Sequence, residues 1–239
     1  VAINTPDFQF GKEIQVGNKI GTVGLPLPGV SARVTDPETR EVLPLGQEGL
    51  LEIRGPNVML GYLNQAERTR EAMHDGWYVT GDIATVDEDG FIKITDRLKD
   101  LLVTAGGKKV APQPLEGRLK TSKWVSEAVM LGDQRPYCIA LLVPNFANLE
   151  QEAKQQGWPS ATRRDLLGSA PVRALYQGVI DQLNADLAPF ERIKRFDLLD
   201  RDLSAEAGEL TPTLKVRRRV VSQTFASMIE ALYAGPPAP

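Results

Sequence analysis

The chain of 239 residues has one cysteine and one histidine. Cys138 has no second cysteine for an internal disulfide, which fits a reducing, cytoplasmic setting. Its surroundings, YCIALLV, read as a buried strand. Apolar packing raises a thiol's pKa, so a core thiol is expected there rather than a reactive one. A single His and a single Cys argue against Ser-His or Cys-His catalysis and against the usual zinc sites. His74 stands at the end of a helical stretch, just before Asp75-Gly76, and reads as facing the last helix carbonyls. No apolar run approaches the ~20 residues of a membrane span. The opening VAINTPDFQF has neither the basic start nor the apolar core of a signal peptide. A formal net charge of -3 offers no global case for nucleic-acid binding.

What is present is an ordinary globular composition, 42% hydrophobic and 25% charged, with length for one or two domains. Strand and turn patterns dominate up to about Arg97. GTVGLPLPGVSARVTD carries prolines that mark edges or bends, and EGLLEIRG is a clear strand. One helix is expected over Gln65–Met73, capped by Asn64. After Asp100 the texture becomes α+β. Pro112 and Pro114 open a helix in PLEGRLKTS. SEAVMLGD and YCIALLVPN are strands joined by the turn DQRP. Helical stretches follow near 146–156 and 171–187, then the short strand RFDLLD. VRRRVVSQTFASMIEALY has apolar residues at helical spacing. The final AGPPAP reads as an unstructured tail.

The stretch DGWYVTGDIATVDEDGFIKITDRLKD holds a hairpin signal at Asp89-Gly90. With those two residues as the turn, Glu88 faces Phe91 and Asp82 faces Arg97. A surface ion pair accounts for that juxtaposition on its own. A nucleotide would also use it: a carboxylate accepts from ribose hydroxyls, and a guanidinium donates to hydroxyls or phosphate oxygens. AGGKKV is not a Walker loop, because Lys108 is followed by Lys109 rather than Ser or Thr. A plain hairpin turn remains an equal reading there. The basic cluster from Lys215 to Arg219 reads as a solvated helix face or a nucleic-acid patch, the latter against an overall acidic balance.

Three segments in order carry a further signal: GYLNQAERTREAMHDGWYVTGD, DEDGFIKITDRLKDLLVTAGGKKVAP and GELTPTLKVRRR. Together they resemble the adenylate-forming superfamily of acyl-CoA synthetases, luciferases and peptide-synthetase adenylation domains. VTAGGKKVAP and LTPTLKVRRR are similar to the bacterial long-chain fatty acyl-CoA synthetases. The resemblance implies an α+β fold with a small β-rich, distorted barrel-like subdomain over 1–98. A mobile C-terminal lid over 99–239 would follow, with a small central sheet flanked by helices.

Residue by residue, the resemblance implies that Asp82 binds the ribose of ATP or of the acyl-adenylate and that Arg97 contacts the nucleotide. Lys99 corresponds to the hinge about which the lid swings, a role that requires a backbone rotation and no substrate contact. Gly106, Gly107 and Lys108 correspond to a loop lining the pantetheine tunnel of coenzyme A, where glycine permits close backbone approach. Lys215 corresponds to the catalytic lysine. In adenylation a substrate carboxylate attacks the α-phosphate, and a positioned cation stabilises the shifting charge. The substrates supply the nucleophiles, which fits the scarcity of His and Cys.

The implied ligands are ATP or AMP, coenzyme A, a fatty acid, and Mg2+ with its ligand expected upstream of Val1. The implied partner is an N-terminal adenylation domain carrying the phosphate loop and acyl pocket. VAINTPDF resembles sequence that directly follows the family's TE motif, so the chain reads as a C-terminal portion without ligase activity by itself. No nucleic-acid partner is expected, while peripheral contact with a membrane remains open. The alternative is a stand-alone nucleotide- or partner-binding regulatory module that kept the lid fold.

Overall fold

A computed structural model describes residues 1–158 and 162–234, and from Gly235 on the expected tail lies outside the described residues. Cα proximity separates two compact units, Val1–Asp100 and a second beginning at Leu101.

In the first unit, β1 (Ala2–Ile3) pairs with β4 (Leu25–Pro26), and β2 (Phe8–Phe10) pairs with β3 (Glu13–Gln15), giving two short ribbons. The main sheet holds β5 (Ser31–Thr35), β6 (Gly49–Arg54), β7 (Met73–His74), β8 (Trp77–Val86) and β9 (Ile92–Arg97). Its order is β5-β6-β8-β7, with β9 also on β8. The ten residues of β8 make room for β7 and β9 end to end along one edge, opposite Trp77–Tyr78 and Asp82–Val86 respectively. Leu51, Ile53, Ala84 and Ile92 form its small core. The unit is β-rich as expected, but the sheet is open rather than closed into a barrel. Its leading strands pair with one another and are tied to the sheet by the bridge Gly24↔Ile92, with Ala2 packed against the sheet's core.

Two local expectations are corrected. Helix α1 covers Ala66–Ala72 and starts from Gln65, not Asn64. Asn64 takes a left-handed φ of 56°, which puts it outside the cap position. His74 does not face a helix end: it pairs with Trp77 in the β7–β8 hairpin. Asp75 and Gly76 form the two-residue turn, both at positive φ (49° and 78°), the geometry that Asp-Gly favours. The turn chemistry outweighed the helical composition upstream of it.

In the second unit, β10 (Leu102–Val103) and β11 (Lys109–Val110) form a hairpin, followed by α2 (Pro112–Leu119). A three-stranded sheet of β12 (Val125–Leu131), β13 (Cys138–Pro144) and β14 (Ile193–Leu198) runs in that order. β13 is antiparallel to β12 and parallel to β14. Every residue of CIALLVP is buried, as a central strand covered on both faces requires.

The helices are α3 (Phe146–Gln156), α4 (Arg163–Gly168), α5 (Ala170–Asn184), α6 (Arg218–Thr224) and α7 (Ala226–Tyr233). α3 is capped by the Asn145 side chain and ends at Gly157 in the left-handed conformation. α5 buries Val172, Tyr176, Ile180 and Leu183, one helical stripe, and the Tyr176 hydroxyl donates to the Trp124 carbonyl at 2.7 Å. Instead of one C-terminal helix there are two. Phe225 leaves helical geometry (φ -105°, ψ 24°) and sets its ring against the Arg201 guanidinium.

Candidate functional site

Two irregularities of the sheet aim the Asp82–Arg97 pair. Leu50 faces Ile83 and Glu52 faces Val79, so Leu51 of β6 spans three residues of β8: Thr80, Gly81 and Asp82. Gly81 takes φ 79°, a conformation costly for any side chain with a Cβ. The Thr80 hydroxyl donates to the Leu51 carbonyl at 2.8 Å and accepts from the Asp82 N–H at 3.0 Å. The threonine thus satisfies the carbonyl that the bulge releases, and Asp82 is carried on its far side.

The second irregularity lies on β9. The Gly90 N–H donates to the Asp87 carbonyl, closing a four-residue turn with Gly90 at φ 86°, and Asp87 pairs on to Phe91. This three-residue loop corrects the expected two-residue turn, and Glu88 does not face Phe91. The strands leave it with Val86↔Ile92 and Ala84↔Ile94 opposed. A bulge at Thr95 then adds one residue, so that Asp82 meets Arg97 as anticipated. Without it, Asp82 would face Asp96.

Arg97 Nε lies 3.1 Å from Asp82 Oδ1, with the side chains 67% and 26% exposed. Both groups retain free hydrogen-bonding capacity toward solvent, since the carboxylate has a second oxygen and the guanidinium further N–H donors. Nearby on β8, burial raises the Tyr78 phenol, with a further contribution from its hydrogen bond to Tyr62. Tyr62 in turn lies under the Arg68 guanidinium at 4.4 Å.

Lys99 is exposed within the 3-10 turn Leu98–Asp100, at the end of the first unit. Gly106, Gly107 and Lys108 lie in the β10–β11 hairpin, and Lys215 in a hairpin closed by the bridge Leu210↔Val216. These two loops, and the loop at Asp87, are built alike. In each, the first residue's N–H donates to the fifth residue's carbonyl and the fourth residue's N–H donates back to the first's. The pairs are Asp87 with Phe91 and Gly90, Thr104 with Lys108 and Gly107, and Thr211 with Lys215 and Leu214. In each, the first side chain also accepts from the fifth N–H, through Asp87 Oδ1 (2.9 Å), Thr104 Oγ1 (3.1 Å) and Thr211 Oγ1 (3.0 Å). Lys108 and Lys215 therefore occupy the same place in two copies of one turn.

The fourth position needs a positive φ: Gly90 and Gly107 supply it freely, while Leu214 holds φ 60° under strain.

Sequence reasoning missed the buried carboxylates around the lysine hairpin. Glu209 is bound by Arg201, which holds its carboxyl below the usual carboxylate range despite burial. Arg218, taken as part of a solvated face, is instead largely buried and paired with Glu116 at 2.6 Å. Burial outweighs that pairing and raises the Glu116 carboxyl. The signal that was available is Glu116 on the apolar stripe of α2, beside Leu115 and Leu119. Among the described residues no cluster of three His, Cys, Asp or Glu side chains could hold a metal ion. No helix among the described residues is long and apolar enough to cross a membrane.

Comparison with known proteins agrees with this architecture. The family described as AMP-binding enzyme C-terminal domain matches residues 99–236, and the AMP-binding enzyme family matches residues 5–63. The chain belongs to the AMP-binding, adenylate-forming enzymes. It is 40% identical over 222 residues to the long-chain-fatty-acid–CoA ligase FadD15 of Mycobacterium tuberculosis, covering 90% of this chain and 34% of that protein. It is 35% identical over 200 residues to the long-chain-fatty-acid–CoA ligase ACSBG1 of Rattus norvegicus, covering 75% of this chain and 28% of that protein. The crystal structure of ATP-bound MatB from Rhodopseudomonas palustris superposes with a TM-score of 0.62 at 30% identity, over 90% of this chain and 38% of that one. The chain thus spans about a third of the length of the curated relatives it matches.

Proposed function

We propose that the chain is part of an ATP-dependent acid–thiol ligase of the long-chain fatty acyl-CoA type. Fatty acid, ATP and coenzyme A give acyl-CoA, AMP and pyrophosphate through an acyl-adenylate. The observation that carries this reading is the doubly bulged presentation of Asp82 beside Arg97, within a chain 40% identical to a long-chain-fatty-acid–CoA ligase.

In the first step a carboxylate oxygen of the fatty acid attacks the α-phosphorus, and the bond to the bridging oxygen of pyrophosphate breaks. Asp82 accepts from the ribose hydroxyls and Arg97 donates to the nucleotide, which fixes the attack geometry. Lys215, at the exposed fifth position of its turn, sets a cation against the charge developing on the α-phosphate. In the second step the thiol of coenzyme A attacks the acyl carbon, loses its proton, and AMP departs. Lys99 is the hinge between the steps, with units 1–98 and 99–239 moving about it, and Gly106, Gly107 and Lys108 border the pantetheine path. The chain alone is inactive in this proposal, because phosphate loop, acyl pocket and magnesium ligand are contributed by an adenylation domain. A peripheral membrane contact also belongs to the proposal; absence of co-sedimentation with anionic vesicles removes it.

The test is Lys215→Ala in the full natural polypeptide, with the half-reactions assayed separately. Acyl-adenylate formation is expected to fall by about 100-fold or more, the scale of one lost electrostatic stabiliser. Thioester formation from supplied acyl-adenylate should persist. Equal loss of both half-reactions in a folded variant overturns the role of Lys215. Acyl-adenylate formation by the 239-residue chain alone, at the full polypeptide's rate, overturns the proposed division of labour.

A further inference from the structure

The hairpin that carries Lys215 is held at both feet by buried charge. On one side stands Glu209, directly before Leu210. Its side chain is fully buried and receives Arg201 Nη1 at 2.8 Å, Arg201 Nη2 at 2.6 Å and the Ser204 N–H at 3.0 Å. On the other side stands Arg218, two residues past Val216, at the start of α6. Its Nη2 donates to Glu116 Oε1 at 2.6 Å and its Nε donates to the Met130 carbonyl at 2.9 Å. The Met130 N–H donates to the same Glu116 oxygen at 2.7 Å, which closes a ring of three residues. The feet are joined to each other by the Arg217 N–H, which donates to the Glu209 carbonyl at 2.7 Å.

Stability alone does not call for these charges. Apolar side chains of similar volume commonly replace a buried ion pair at little cost. What an ion pair adds is direction: each guanidinium fork is fixed in angle as well as in distance. Arg218 fixes to rigid elements, since α2 and β12 belong to the core of the second unit, while Glu209 fixes to Arg201 and Ser204, in the loop that buries Leu199 and Leu203 in the same core. The element being fixed is the opposite kind. Leu214 is 70% exposed and sits at a strained positive φ where the sister turns have glycine. A strained, exposed turn persists only where its surroundings over-determine it.

We infer that Glu209 and Arg218 are positioning residues for Lys215, their two ion pairs delivering its ammonium to one place; Arg218–Glu116 is largely buried, and Glu209 is buried beneath a half-exposed Arg201. The inference rests on the reading of Lys215 as the cation of the adenylation step. Neither residue is required to touch substrate: both act on the backbone on either side of the turn.

The experiment uses the full natural polypeptide with three variants: Glu209→Gln, which keeps shape and drops charge, the double variant Glu116→Leu with Arg218→Met, and Lys215→Ala. Both half-reactions are followed, with kcat and the KM for ATP resolved for adenylation. For Glu209→Gln and for the double variant, kcat of adenylation is expected to fall about 10–100-fold, the scale of a misplaced catalytic group. The KM for ATP and the thioester half-reaction should stay within about threefold, because uniform binding is untouched. A folded Glu209→Gln that adenylates at the wild-type rate overturns the inference. So does a double variant in which both half-reactions fall together, since that is the mark of lost fold alone. If the double variant fails to fold, the Glu209→Gln result decides. Lys215→Ala separates the two levels. If it adenylates normally, the reading of Lys215 itself falls. If it is inactive while Glu209→Gln is unaffected, only the positioning role falls.

Discussion

Arg97 Nε lies 3.1 Å from Asp82 Oδ1, across two strands whose alignment depends on one extra residue, Thr95. The pair is exposed enough that its contribution to stability is small, about 0–1 kcal/mol. The role proposed for it is therefore tested in binding rather than in folding. In the full natural polypeptide, Asp82→Asn and Arg97→Ala are each expected to weaken AMP binding by about tenfold or more, the scale of a charge-assisted hydrogen bond. The melting temperature should hardly move. Titration calorimetry and thermal unfolding give the two readouts. Unchanged AMP affinity alongside a large loss of melting temperature would reverse the assignment.

Lys99 lies in a 3-10 turn of three residues at the end of the first unit. Short 3-10 segments are places where a chain changes direction, and a hinge there must rotate φ and ψ. Proline locks φ near -65°. Lys99→Pro is expected to leave acyl-adenylate formation nearly intact and to slow coenzyme A-dependent turnover by about tenfold or more, if reorientation separates the steps. The assay compares the two half-reactions in the full polypeptide. Wild-type turnover with coenzyme A counts against the hinge.

Glu52 in β6 is fully buried and is held by Arg33 Nη2 at 2.7 Å, with Arg40 Nη1 at 3.4 Å. Arg33 also lies 4.3 Å from the centre of the Trp77 ring. Removing the arginine strands a charge with one long contact left. Arg33→Ala is expected to cost about 3 kcal/mol. Arg33→Ala combined with Glu52→Leu should recover much of that loss. Urea unfolding of both variants measures the effect, and a double variant no more stable than the single one would defeat the argument.

Burial pushes the Cys138 thiol up to about 11 from an ordinary 9.0, with Glu191 as the lesser cause. The folded state therefore holds its proton while the unfolded state ionises. Stability from this group is complete below pH 9 and is lost as pH rises from there through about 11. The difference in unfolding free energy between wild type and Cys138→Ala should shrink across that window, by about 2–3 kcal/mol at most. Native protein at pH 8 should also resist iodoacetamide. Rapid alkylation of the native state, or a difference that grows with pH, contradicts the burial argument.

Much of the second unit was legible because its segments carry strong periodic patterns. CIALLVP, with an unbroken apolar run, became the central strand, and Pro112 opened α2 as proline at a first turn does. Turn chemistry was read less well. Asp75-Gly76 and Asp89-Gly90 are the same dipeptide, yet the first closes a two-residue turn and the second a three-residue loop. The side chain of Asp87, which accepts from the Asp89 and Phe91 N–H groups, favours the longer closure at the second site. Asp82 met Arg97 because a shorter alignment at the loop and an added residue at Thr95 offset each other.

The charges divide in the same way. Sequence by itself determined the family resemblance, through three segments in order: the one that holds Thr80, Gly81 and Asp82, the one that holds Arg97 and Lys99, and the one that holds Thr211 and Lys215. Their requirements of φ, of hydroxyl acceptors and of charge are local, and they are written in adjacent letters. Which charges are buried was decided by tertiary structure alone. Arg217, Arg218 and Arg219 are indistinguishable as letters, and only Arg218 reaches Glu116, 102 positions away. The desolvation and pairing of a charge depend on what the chain folds against it, and that partner is not a neighbour in sequence.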